Sequence, residues 1–168
     1  MTRIGVTGHR RYRGTADTDE AIAVVIARVT DDGVPPTIIS SLAEGADRAI
    51  AERVLELPGA SLEVVLPMHA DDYSRDFESN ESRRHFARLI ATATRVDVVA
   101  ADGDGGPSDG LREGRYERAG HEVVDRCDVL IAVWDGTPAR GRGGTADIIQ
   151  YALDHDVRVE IVLVDREP

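Results

Sequence analysis

The sequence contains no lysine; all 20 of its basic residues are arginine. That excludes Schiff-base chemistry on a lysine amine and the lysine of a P-loop. Its single cysteine, Cys127, excludes an internal disulfide and a Cys-rich metal site. Its place just before the apolar run 129–133 makes it a small, partly buried residue. His69, His85, His121 and His155 share no metal-ligand spacing. No apolar run reaches the ~18 residues of a membrane span, and no signal-peptide pattern opens the chain. The expectation is a soluble, cytoplasmic protein with no membrane partner. Positive charge is also short. Against those 20 arginines stand 31 carboxylates, a net charge of −11. A body of that charge argues against nucleic acid as the main partner.

What is present is a globular composition, 42% hydrophobic and 30% charged, over a length that suits one domain, 1–168. Short apolar runs alternate with helical patterns. Strands are predicted at 3–7, 36–41, 62–66, 96–100, 129–133 and 157–164. Helices are predicted at 21–29, 48–57, 82–94, 111–126 and 145–155, with a short helical turn within 69–79. The low-complexity stretch 102–110 reads as a loop of the length of a lid or a disordered segment. Continuously apolar strands interleaved with helices predict an α/β protein, a three-layer Rossmann-like fold with a mostly parallel doubly wound sheet. Ligands in such sheets bind beyond the carboxyl ends of the strands, near the switch point.

The residues at those strand ends are chemically coherent. Gly8, His9 and Arg10 follow the first strand, and Ser41, Glu44 and Gly45 the second. Pro67, Met68 and His69 follow the third. Asp135, Arg140, Gly143, Gly144 and Thr145 follow the fifth. A strand, a glycine-rich loop and a helix start form an anion site, because glycine lets the backbone approach and the first helical N–H groups point outward. Arg10, Arg11, Arg13, Arg140 and Arg142, gathered in one cleft, would add charge-assisted bonds. Glu44, Asp135 and Asp147 are placed to accept ribose hydroxyls, and they are the candidate catalytic carboxylates. Tyr116 is either core or a ring that stacks on a base. Thr145 alternatively reads as the N-cap of the last helix. A nucleotide is the expected ligand.

On these residues the chain resembles the SLOG superfamily of Rossmann-like nucleotide-binding proteins, which includes the LOG-type proteins and the DNA-processing protein DprA. The matching stretches are Ile4-Gly5-Val6-Thr7-Gly8-His9-Arg10 and Ser41-Leu42-Ala43-Glu44-Gly45-Ala46-Asp47. Leu66-Pro67 with Asp72-Tyr73 and Asp76-Phe77 follows, then Trp134-Asp135-Gly136 through Gly143-Gly144-Thr145-Ala146-Asp147. The resemblance implies a nucleotide or nucleotide-derived ligand at the sheet's carboxyl edge, and self-association through helices. The helices at 21–29 and 115–127 are the candidates, so a homo-oligomer is expected. LOG-type phosphoribohydrolases carry Pro-Gly-Gly-x-Gly-Thr-x-x-Glu, whose glutamate is tied to cleavage of the N-glycosidic bond. Here Ile148 stands three residues after Thr145, and Asp147 is one position early, rotated by about 100° on a helix. The chain is therefore closest to a stand-alone SLOG domain without that glutamate.

Binding as a sensor or carrier is thus the first expectation, and a nucleoside 5′-monophosphate phosphoribohydrolase the second. The latter needs a carboxylate near an oxocarbenium-like centre. A dinucleotide oxidoreductase would need G-x-G-x-x-G after the first strand, where Gly5-x-x-Gly8 stands. A DprA-like grip on DNA would need clustered basic charge on the surface.

Overall fold

The computed structural model describes residues 2–99 and 109–168. Six strands, β1 (Arg3–Gly8), β2 (Thr37–Ser40), β3 (Ser61–Leu66), β4 (Arg95–Val98), β5 (Val129–Trp134) and β6 (Arg158–Leu163), form one sheet. Its order is β4-β3-β2-β1-β5-β6, and every pairing is parallel. The helices are α1 (Ala16–Val29), α2 (Ala46–Leu55), α3 (Ala70–Tyr73), α4 (Asn80–Thr92), α5 (Asp109–Asp125) and α6 (Thr145–Asp154). A 3-10 turn, Ser74–Asp76, continues α3. This is the expected three-layer α/β Rossmann-like architecture. The predicted loop 102–110 lies almost wholly outside the described residues.

The period-2 alternation of the strands sorts two apolar layers. Ile4, Val6, Ile38, Leu62, Val64, Ile131 and Val133 face one side and pack with α1, α2 and α4. Ile39, Val65 and Leu130 face the other and pack with Ala119 and Val123 of α5 and Ile148 and Ala152 of α6. At Gly5 the second side carries no side chain, and a β-carbon there would meet Cys127 Sγ at 2.8 Å. Cys127 fills that gap, and burial pushes its thiol up to about 11, so it packs rather than reacts.

The strands at the two edges depart from the expectation of full burial. Val96 and Val98 of β4 and Ile161 and Leu163 of β6 are exposed. Each edge carries charges that discourage further pairing, Arg95 with Asp97 and Arg158 with Glu160. Helix α1 begins five residues before its predicted start, because Thr15 caps it by accepting from the Thr18 amide at 3.2 Å. Its buried stripe is Thr18, Ile22, Val25, Ile26 and Val29, with Val24 left exposed. No helix among the described residues is long and apolar enough to cross a membrane.

Candidate ligand site

The strand order reverses between β1 and β5, so the crevice of the sheet opens beyond Gly8 and Trp134. A cavity of about 480 Å³ lies there. Of the residues expected from sequence, it is lined by Gly8, His9, Arg10, Ser41, Glu44, Tyr116, Arg140, Gly143, Gly144 and Thr145. Two glycine-containing loops are thereby brought together from opposite ends of the chain.

The first loop is clamped by backbone contacts. The His9 amide donates to Val133 O at 3.2 Å, and the Ala46 amide donates to His9 O at 3.2 Å. A β-carbon on Gly8 would stand 2.4 Å from Ala46 Cβ, so only glycine lets α2 come this close. Gly45 does not line this cavity. With φ +85°, it is the place where the second loop passes under the first, and a β-carbon would fall 2.3 Å from Arg10 O. Its role is to let the two loops cross.

The helix starts differ in how their first amides are used. The start of α1 is capped by Thr15. At the start of α2 the Ala46 amide is taken by the His9 carbonyl, and no side chain caps the first turn. Helix α6 is capped by Gly144, with no side-chain bond to its first turn. Thr145 is therefore the first helical residue, not its cap. The Gly144 amide is used by Gly141 O, while Asp147 and Ile148 turn back to Gly144 O. The amides of Thr145 and Ala146 have no partner among the described residues, and both residues line the cavity. Gly143, at φ +75°, makes the turn in contact with α5, where a β-carbon would meet Glu117 N at 2.6 Å.

The arginines divide by partner. Arg11 is paired with Glu78, and Arg142 with Glu117 at 2.5 Å. Arg13 lies outside the cavity, in a separate depression with Thr15 and Asp17. Arg140 is exposed and has no partner among the described residues. Arg10 carries no carboxylate bond among the described residues and lies over the Tyr116 ring, 5.5 Å from its centroid. Arg166, unforeseen from sequence, joins the lining where the chain end bridges back to Tyr12. Five arginines face five carboxylates around the cavity, so it is far less acidic than the chain as a whole. The positive charge left over for an anion is that of Arg10, Arg140 and Arg166, together with the open end of α6.

Two of the three candidate catalytic carboxylates are elsewhere. Asp147 is exposed and does not line the cavity, because the inward face of α6 is taken by Thr145, Ile148 and Ile149. Asp135 shapes its own loop. Its Oδ1 accepts from the Thr137 amide at 3.1 Å and hydroxyl at 2.8 Å, and lies 3.0 Å from His9 Nε2. Burial opposes its charge, but the Thr137 and His9 bonds outweigh that and hold the acid below the ordinary carboxylate range. His9 is thereby an orienting residue between the two loops. Glu44 does line the cavity, yet its Oε1 accepts from the Glu78 amide at 2.9 Å and from the Ser82 hydroxyl, tying the second loop to α4.

Reasoning from sequence missed the carboxyl that sits deepest. Asp47 lines the cavity at only 6% exposure, beside Ser40, whose hydroxyl donates to Asp47 Oδ2 at 3.3 Å. Burial pushes its acid up to about 7, against the pull of the Ala43 amide, Ser40, Arg10 and Arg48. Its signal was present. Asp47, Ile50 and Val54 recur at the spacing of a buried helix stripe, and an acid on such a stripe is out of place. Tyr73 of α3 is a second lining residue that the strand ends do not point to. It lines the cavity from within an edge-to-face cluster, its ring centroid 4.9 Å from Phe77 and 5.6 Å from Phe86. Tyr116 is 5.9 Å from Tyr73, and its hydroxyl bonds Asp76. Pro67, Met68 and His69, at the end of β3, stay out of the cavity; α3 reaches it in their place.

The fold and cavity define a Rossmann-like α/β protein with an open crevice at its switch point. No family model and no curated protein matches the chain. A solved structural-genomics target, TM1055, is similar over 95% of this chain and 72% of its own, at 13% identity and a TM-score of 0.49.

Proposed function

We propose that the chain binds a nucleotide or nucleotide-derived small ligand at the carboxyl edge of its sheet, as a sensor or carrier domain of SLOG type. The observation that carries this reading is the uncapped start of α6, whose Thr145 and Ala146 amides open on the same cavity as Arg10 and Arg140. The cavity volume suits a nucleoside monophosphate. Phosphate sits at Gly143-Gly144-Thr145, within reach of the two arginines, and a base lies against the Tyr116 ring. Ile148 supports binding over turnover. At the position of the LOG-type glutamate it is 2% exposed and belongs to the apolar layer between α5 and the sheet.

The test is native mass spectrometry of the purified protein, followed by calorimetry with a panel of nucleoside monophosphates. A co-purifying nucleotide, or saturable binding with no release of base, is the expected result. Absence of binding at millimolar nucleotide ends the proposal. The second reading, phosphoribohydrolase activity, rests on Glu44, the one candidate catalytic carboxylate that lines the cavity. Release of free base that disappears in Glu44→Gln would favour it. Self-association belongs to the same proposal, and light scattering in solution decides it.

A further inference from the structure

The buried side of the cavity holds a carboxyl, Asp47, and beside it a hydroxyl, Tyr73, that the fold leaves without a partner. The Asp47 carboxyl is 6% exposed and accepts from the Ala43 amide and, at a long 3.3 Å, from the Ser40 hydroxyl, which leaves it room for one further donor. The Tyr73 hydroxyl is wholly buried and has no hydrogen-bond partner among the described residues. Buried polar groups are nearly always paired, and leaving one unpaired lowers stability. A phenylalanine would fill the Tyr73 aromatic cluster equally well without that loss. The hydroxyl therefore does something the folded chain alone does not need.

The neighbourhood narrows the class of group that would satisfy both. A phosphate is disfavoured beside a carboxylate and has the end of α6 open to it. A cation would meet Arg10 and Arg48, whose charges both act on Asp47. A base needs an accessible ring face. Tyr73, Phe77 and Phe86 bury theirs against one another, and Tyr116 is the half-exposed ring at the site. What remains is a neutral group that donates and accepts in one place. A hydroxyl does both, giving its proton to Asp47 and accepting from Tyr73.

Resting on the nucleotide reading above, we propose that Asp47 and Tyr73 form a hydroxyl-recognition subsite for the ligand's sugar, with phosphate at the start of α6. The ligand class is then a phosphorylated sugar or ribonucleotide, held at the sugar by a pair of residues drawn from α2 and α3.

Calorimetry with ribose 5-phosphate and with inorganic phosphate tests this, on the wild type, Tyr73→Phe and Asp47→Asn. The wild type is expected to bind ribose 5-phosphate at least about 10-fold tighter than phosphate. Each variant is expected to lose about that factor for ribose 5-phosphate while binding phosphate unchanged. Thermal melting of the free protein adds a readout of folding. Tyr73→Phe should melt at the same temperature or higher, since it removes an unpaired group and keeps the ring. Equal wild-type affinity for the two probes, or variants that keep the wild-type ratio, overturns the subsite and leaves the phosphate site standing. A Tyr73→Phe protein that melts lower with its ratio unchanged also overturns it, and assigns the hydroxyl to a buried water. Wild type that binds neither probe nor any nucleotide ends the nucleotide reading itself.

Discussion

A β-carbon on Gly120 of α5 would lie 2.3 Å from Ile148 Cδ1 of α6. The two helices close on each other at this pair, directly behind the cavity that both residues line. Gly120→Ala forces Ile148 off its position and overpacks the seam, which should cost about 1–3 kcal/mol. Chemical denaturation would read that as a lower midpoint at unchanged slope.

The crossing of the first two loops is as demanding. Gly45 combines φ +85° with backbone contact to His9 and Arg10. Gly45→Ala adds a strained left-handed conformation to a steric clash, for an expected loss of about 2–4 kcal/mol. Because the clash is with Arg10 O, ligand affinity should fall along with the melting temperature.

Arg140 separates binding from folding. It is exposed and without a partner among the described residues, so Arg140→Ala should leave stability within about 0.5 kcal/mol of wild type. Removal of one charge-assisted bond to phosphate should weaken nucleotide binding by about 1.5–3 kcal/mol, or roughly 10- to 150-fold. A titration of wild type and variant against the same nucleotide checks both halves.

Asp47 makes stability fall as pH rises. Its acid is near 3.8 when unfolded and is pushed up to about 7 by burial in the fold. Between those values the native state holds a proton that the unfolded chain has lost. The stability is fully present below about pH 4, declines as pH rises, and levels off above about pH 7. The size is at most about 4 kcal/mol, from about 1.4 kcal/mol for each pH step. Asp47→Asn should flatten this slope in urea titrations between pH 4.5 and 7.5. Asp135 works in the opposite sense. Its acid is held below the ordinary range, so its contribution is present above about pH 4 and lost as pH falls further.

Much of the architecture was legible in the sequence, because strand runs and helix stripes are local patterns with a fixed period. The apolar runs around Ile4, Ile38, Val64 and Leu130 imply a covered sheet, and the glycines at 8, 143 and 144 mark its rim. Apolar spacing places the starts of α1 and α2 too far along the chain. Thr15 and Gly45 mark them through caps and turns rather than through apolar spacing.

The composition alone settled that no lysine or cysteine-pair chemistry operates here, and the residue after Ala146-Asp147 is an apolar Ile148 whatever the fold. Only the tertiary structure decided which polar residues face the cavity. Asp135, Asp147 and Asp47 are alike in sequence, each within three residues of a turn glycine. One is spent on Thr137 and His9, one points to solvent from α6, and one is buried against the crevice at the switch point. Direction and burial depend on how α2, α5 and α6 pack on the sheet. Residues distant in sequence set that packing, Gly8 against Ala46 and Gly120 against Ile148 among them, and no local pattern carries it.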